Sequence, residues 1–255
     1  MNSDMFDLSG RLALVTGSSR GIGFSLARGL ARAGAEVVLN ARDAEALAAA
    51  AEEMRREGLR AHTRVFDVTV PEQVDAAIEE IEAGIGSIDI LVNNVGTQHR
   101  APLEEFPLEA WKRLLDTNLT AVFLVGQAVG RRMIKRRHGK IINILSMQSE
   151  LARPGIAPYA ATKGGVKMLT RSMCAEWARY GIQVNGIGPG YFVTPLTQVL
   201  KDDPAFDAWL CGRTPAGRWG DVEELVGAAV FLSSSASDYV NGQIIYVDGG
   251  LLAVI

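Results

Sequence analysis

The 255-residue chain predicts an α/β fold, a doubly wound parallel sheet of about seven strands with helices on both faces. Three observations carry this. Short apolar, β-branched runs alternate along the chain with longer helical patterns, the signature of βαβ units. A glycine-rich turn directly follows the first of those runs. Gly34, Gly58 and Gly181 stand just past helical patterns, where left-handed helix ends are expected.

The strands are predicted at 12–15, 36–40, 62–66, 88–92, 140–145, 183–186 and 243–247. Helices are expected at 22–33, 44–57, 71–83, within 108–137, and at 159–180 and 222–232. No linker or repeat divides the chain, so 1–255 reads as a single domain. The stretch 191–220 breaks the alternation. It is rich in Pro, Thr and Trp and is expected to form a mobile flap over the site.

Apolar residues make up 48% and charged residues 22%, which fits a globular enzyme that buries its core without disulfides or metal. Net charge is −3 with both signs interspersed, so no nucleic-acid surface is expected. The one basic cluster, Arg131 to His138, reads as a helix end, where cations meet the negative end of the dipole. Cys174 and Cys211 show no metal or redox spacing and His62, His99 and His138 are scattered, so no metal site is expected. Acids and the lack of an apolar core in residues 1–10 argue against a signal peptide, and no apolar run reaches membrane-spanning length. A cytoplasmic protein is the expectation.

The glycine-rich turn is Thr16-Gly17-Ser18-Ser19-Arg20-Gly21-Ile22-Gly23. A helix N-terminus presents unpaired N–H groups and a positive dipole end to an anion, and Gly17, Gly21 and Gly23 let the backbone approach a pyrophosphate. The spacing is Gly-x-x-x-Gly-x-Gly rather than the commoner Gly-x-Gly-x-x-Gly. Between strand and helix it still predicts a Rossmann-type dinucleotide site, with Ser19, Arg20 and Ile22 beside the glycines. Asn40 ends the second strand where an acid would select NAD. With no carboxylate there, Arg42 and Arg20 can pair with a 2′-phosphate, so NADP(H) is expected over NAD(H). The other reading leaves Arg42 in solvent and makes Asp43 a helix cap. Asp67 and Val68 are placed at the adenine edge. Asn94 and Gly96, of Asn93-Asn94-Val95-Gly96, follow the fourth strand, where the sheet order should reverse and open a crevice.

Tyr159 and Lys163 lie one helical turn apart and can share the crevice. A free phenol ionises near pH 10, and lowering that by two to three units takes roughly 3–4 kcal/mol of differential interaction. A neighbouring ammonium is expected to supply part of it. Ser146, at the end of the fifth strand, can polarise a carbonyl or hold an alcohol. Singly, each residue also reads as ordinary structure: a half-buried Tyr, a solvated Lys, a turn-forming Ser.

Together these residues resemble the short-chain dehydrogenase/reductase family over essentially the whole chain. The likeness runs through the Thr16–Gly23 turn, Asp67, Asn93 to Gly96, Asn118, Ser146, Tyr159, Lys163, Pro189-Gly190 and Val247-Asp248-Gly249-Gly250. Val95 stands where the family usually has Ala. The resemblance implies Tyr159 as acid/base, Lys163 as the ribose contact that lowers the tyrosine pKa, Ser146 as substrate-orienting, and Asn118 as holding a water in a proton relay. It adds Pro189, Gly190 and Val193 to the cofactor contacts.

A narrower resemblance lies in residues 146–151, 165–170, 213–220 and 231–242. It points to family members that reversibly oxidise D-gluconate to 5-keto-D-gluconate, usually as homotetramers. Such a sugar acid needs a cation and hydrogen-bonding groups. Arg100 is the first candidate for its carboxylate and Arg153 the second, with Gln148 and Glu150 for hydroxyls; Gln98, His99 and Ser149 are nearby. The apolar ending 250–255 suggests burial against a neighbouring subunit. Two other readings stay open. One is a 3-oxoacyl-carrier-protein reductase or other ketone reductase, for which Arg131–Arg137 would dock an acidic partner. The other is a cofactor-binding redox sensor without turnover.

Overall fold

Four consecutive fully buried residues, Leu12–Val15, form β1 at the middle of the sheet. The computed structural model describes residues 3–254; Met1 and Asn2 of the acidic start and Ile255 of the apolar ending lie outside the described residues. The remaining strands are β2 (Glu36–Ala41), β3 (Ala61–Val65), β4 (Ile88–Asn93), β5 (Gly139–Ile144), β6 (Ile182–Pro189) and β7 (Ile244–Val247). All pair in parallel, in the order β3-β2-β1-β4-β5-β6-β7.

Both faces of the sheet are covered. In β1, Ala13 and Val15 join one apolar cluster while Leu12 and Leu14 join the other. The first cluster is closed by α1 (Gly21–Arg32), α2 (Ala44–Arg56) and, near the chain end, α9 (Val226–Ser233). The second is closed by α3 (Pro71–Gly84) and α5 (Ala121–Arg136), with Met173 of α6 (Ala157–Trp177). α4 (Leu108–Leu115) precedes α5, and α7 (Gln198–Lys201) and α8 (Pro204–Arg213) follow β6. Burying each Leu, Ile or Val in these layers is worth about 1.5–3 kcal/mol.

Seven strands and the three left-handed glycines match the sequence expectation, with Gly34, Gly58 and Gly181 at φ 106°, 77° and 75°. The helix expected inside 108–137 is instead two helices joined by a π turn, Asp116–Thr120. The 191–220 stretch holds α7 and α8 and is closed at its base by a bridge between Phe192 and Gly220. It packs a small core of its own, Leu210 and Trp219 against Met147 and Leu251.

The basic cluster is spent on structure. Arg131 pairs with Asp75, Arg132 and Arg136 share Glu82, and Arg137 donates to the Arg179 carbonyl. Among the described residues, no helix is long and apolar enough to cross a membrane, and no three His, Cys, Asp or Glu cluster as metal ligands would.

Candidate active site

The strand order reverses between β1 and β4, and a crevice of about 680 Å³ opens at the carboxyl edge of the sheet there. The turn after β1 forms its floor. Gly17 and Gly21 take φ of 63° and 58°, which side-chain-bearing residues rarely adopt. A Cβ on Gly23 would lie 2.3 Å from the Gly17 carbonyl oxygen, so only glycine lets the helix start this close to the strand. Arg20, the α1 N-cap, makes no side-chain cap bond, which leaves the first N–H groups of α1 for a ligand. Ser19, Arg20, Gly21 and Ile22 all line the crevice.

Two asparagines hold this turn. Asn94 donates from Nδ2 to the carbonyls of Thr16 and Gly17, both at 3.0 Å. Asn40 is 1% exposed and donates to the Arg64 and Phe66 carbonyls at 3.2 and 3.1 Å, while its Oδ1 accepts from Gly17. Asn40 borders the crevice, but its amide is committed to the fold. It stands in the lining as expected, and it also clamps the turn to β3. Arg42 is 78% exposed at the mouth and reaches Asp67 at 3.3 Å, and Asp43 caps α2 through the Ala46 N–H. Burial opposes ionisation of Asp67, but its bonds from Thr69 and Arg42 hold the carboxyl below the usual range. Val68 and Gly96 complete the predicted lining.

Two predicted cofactor residues, Gly190 and Val193, adjoin the lining residues Pro189 and Thr194. Gly190 is small because Asp248 passes behind it; a Cβ there would sit 2.7 Å from the Asp248 Cα. Val193 is 43% exposed, and Thr194, Pro195 and Leu196 after it line the crevice. Pro189 is in place. The sequence reading also missed Arg113 and Thr117, which α4 and the π turn bring to the crevice. Only the helical spacing of those two could have hinted at them.

At the far end, α6 delivers Tyr159 and Lys163 into the crevice. Ser146 is 8% exposed, and its Oγ accepts from the Gln148 N–H at 3.1 Å. Lys163 is buried, donates to the Ile144 carbonyl at 2.8 Å, and stands 5.7 Å from the Tyr159 ring centre. Burial brings its pKa down to about 8. Burial also pushes the Tyr159 phenol upward, opposed by the Ser146 hydroxyl and the charge of Arg100. In the protein without cofactor desolvation dominates the phenol, and Arg100 is the cation that opposes it.

Asn118 is fully buried in the π turn. Its Oδ1 accepts from Thr97 N–H at 2.8 Å, and its Nδ2 donates to the Thr97 carbonyl and the Thr162 hydroxyl. The side chain is therefore a strut between the crevice loop and α6. Glu150 pairs with Lys167 and accepts from the Tyr246 hydroxyl on β7. Arg100 and Arg153 do converge on the Tyr159 end, where each feels the other's charge or Tyr191's. Arg100 reaches the Leu196 carbonyl at 3.5 Å, and Arg153 lies over the Phe206 ring.

A dinucleotide cradle beside a Ser-Tyr-Lys group, its serine and lysine buried, defines a nicotinamide-dependent oxidoreductase of CH–OH groups. A family described as "Enoyl-(Acyl carrier protein) reductase" matches residues 17–252. A gluconate 5-dehydrogenase of Gluconobacter oxydans (strain 621H) is 62% identical over 97% of both chains. The 5-keto-D-gluconate 5-reductase of Escherichia coli (strain K12) is 56% identical over 99% of this chain and 100% of its own. A crystal structure of a gluconate 5-dehydrogenase from Burkholderia cenocepacia J2315, in complex with NADP and tartrate, superposes with a TM-score of 0.97 at 62% identity over 99% of both chains. The chain belongs to the short-chain dehydrogenase/reductase family.

Proposed function

We propose that this enzyme interconverts D-gluconate and 5-keto-D-gluconate with NADP(H). The observation that carries the substrate is the pair Arg100 and Arg153, which face the Tyr159 end and have no carboxylate partner among the described residues. Two free guanidinium groups suit the one carboxylate of a sugar acid. The relatives named for this reaction, and a neighbour holding NADP and the hydroxy-diacid tartrate, support the same reading. The acyl-carrier alternative would use Arg131–Arg137, where Arg131, Lys135 and Arg137 are exposed, but the stretches 146–151 and 209–220 favour the sugar acid over it.

The residues present fit the dinucleotide: a turn only glycine can make, free α1 N–H groups, and arginines at the ribose end. Arg42 and Arg20 favour the 2′-phosphate, and Asp67 supplies the counter-charge that holds Arg42 at the mouth. When bound, the cofactor supplies the hydride acceptor or donor. The chain's own residues handle position and proton. Arg100 and Arg153 fix the carboxylate, Ser146 holds the reacting oxygen, and Tyr159 takes or gives its proton. Lys163 holds the ribose, and Asn118 keeps Thr97 and α6 in register. The 191–220 flap, which carries Tyr191 and the ring beneath Arg153, covers the substrate.

The reading extends to a cytoplasmic homotetramer. Free Cys174 and Cys211 suit a reducing compartment. Exposed Trp111, Phe123 and Met168 on α4, α5 and α6 suit burial between copies, which light scattering measures.

The deciding assay follows NADPH absorbance with 5-keto-D-gluconate, with NADH and an acetoacetyl thioester in parallel. Rapid loss of NADPH with the keto acid alone is expected. Turnover only with the thioester, or equal use of NADH, would overturn substrate or cofactor respectively. Arg100→Ala is expected to raise the gluconate KM on the order of tenfold or more. An unchanged KM would remove Arg100 from the substrate site.

A further inference from the structure

Gln148 is 7% exposed and sits in a short turn, Met147–Ser149, directly after Ser146. Its backbone is pinned there by the 3.1 Å bond to Ser146 Oγ. Its side-chain oxygen, Oε1, is buried and accepts no hydrogen bond. Buried acceptors left unpaired are uncommon and costly, and those in native sites commonly await a ligand. The side chain stands beside the flap. Burial pushes the phenol of Tyr191, at the base of that segment, upward in pKa, and Arg153, Arg100 and the neighbouring Gln148 side chain oppose that rise. The Tyr191 ring is itself fixed edge-on by Phe206 at 5.5 Å and Trp219 at 5.7 Å. Arg153 lies over the same Phe206 ring. An unpaired acceptor thus stands two residues along the chain from Ser146 and beside Tyr191, whose phenol Arg100 and Arg153 also reach.

We propose that Gln148 Oε1 accepts a hydrogen bond from a hydroxyl in the middle of the substrate, at carbon two or three, and that Tyr191 positions it to do so. The assignment rests on the sugar-acid reading above and deepens it, by making the enzyme select polyhydroxylated acids over deoxy acids of the same length. A site with a buried acceptor rejects a ligand that lacks the matching donor, because the acceptor then stays unpaired and out of water. Carboxylate binding by Arg100 and Arg153 cannot make this distinction, since every sugar acid carries that group.

The test crosses deletion of a substrate hydroxyl with removal of the acceptor. D-gluconate, 2-deoxy-D-gluconate and 3-deoxy-D-gluconate are oxidised with NADP⁺ by the wild-type enzyme, by Gln148→Met and by Tyr191→Phe. NADPH affinity and melting temperature serve as controls for folding. In the wild type, one of the two deoxy acids should lose on the order of 10- to 100-fold in kcat/KM. In Gln148→Met the same deletion should cost less than about threefold, because no acceptor remains to be left unpaired. Tyr191→Phe should fall between the two while keeping the same preferred acid. Equal use of all three acids by the wild type, or an undiminished preference in Gln148→Met, would overturn the assignment and leave the sugar-acid reading intact. Failure of the wild type to oxidise any of the three would overturn that reading and this assignment with it.

Discussion

Replacing Tyr159 with Phe is expected to lower kcat by roughly 10³- to 10⁴-fold while changing NADPH affinity by less than about threefold. The substitution removes one oxygen and keeps the ring, so the crevice retains its shape. The lost oxygen is the one beside Ser146, at the closed end of the crevice. The pH dependence follows from the environment of that phenol. Burial holds it above its ordinary pKa, and the Ser146 hydroxyl and Arg100 only partly offset this. The enzyme therefore carries a protonated Tyr159 at neutral pH, ready to donate during reduction. Reduction should be nearly flat from about pH 6 to 8, and oxidation should climb about tenfold per pH unit until the phenol ionises. Steady-state rates in both directions, with cofactor binding followed by fluorescence, check this. A Phe variant with near-wild-type kcat would remove Tyr159 as the acid/base.

The parts of the site legible in the sequence are those set by local backbone demands. The glycine turn was readable because Gly17, Gly21 and Gly23 answer to conformation and close approach within one loop. Tyr159 and Lys163 were readable because helical spacing alone puts them on one face. What was not legible is the bonding that depends on partners far along the chain. Asn118 is spent on Thr97 and Thr162, 21 and 44 residues away, and that bonding accompanies the π turn that splits the expected helix. Asn40 donates to the carbonyls of Arg64 in β3 and Phe66 just after it, and Glu150 is engaged by Lys167 and Tyr246. Val193 stands just before the lining residues Thr194, Pro195 and Leu196. It follows the backbone of Gly220, to whose carbonyl its N–H donates, and no local signal in the sequence shows that pairing.

Lys163→Met is expected to remove most activity and yet stabilise the protein without cofactor. Lys163 is buried and has no carboxylate partner among the described residues; its ammonium is met by the Ile144 carbonyl and the face of Tyr159. Its pKa falls from 10.5 to about 8 on folding, with desolvation as the cause. The folded state therefore resists the charge that the unfolded state accepts. This penalty is fully present below about pH 8, fades as pH rises from 8 toward 10.5, and vanishes once the unfolded lysine has also lost its proton. Met keeps the volume and drops the charge. After allowance for the lost bond to Ile144, the variant should gain roughly 1–3 kcal/mol at pH 7 and progressively less at higher pH. Its kcat should fall by on the order of 10²-fold or more, since neither the ribose nor the phenol then has its ammonium. Denaturant unfolding at pH 7 and pH 9.5, without cofactor, measures the gain and its slope. A variant less stable at both pH values would mean that Lys163 is held for packing rather than for its charge. The expected result instead marks it as a group kept at a cost to the fold, because only the loaded site uses its charge.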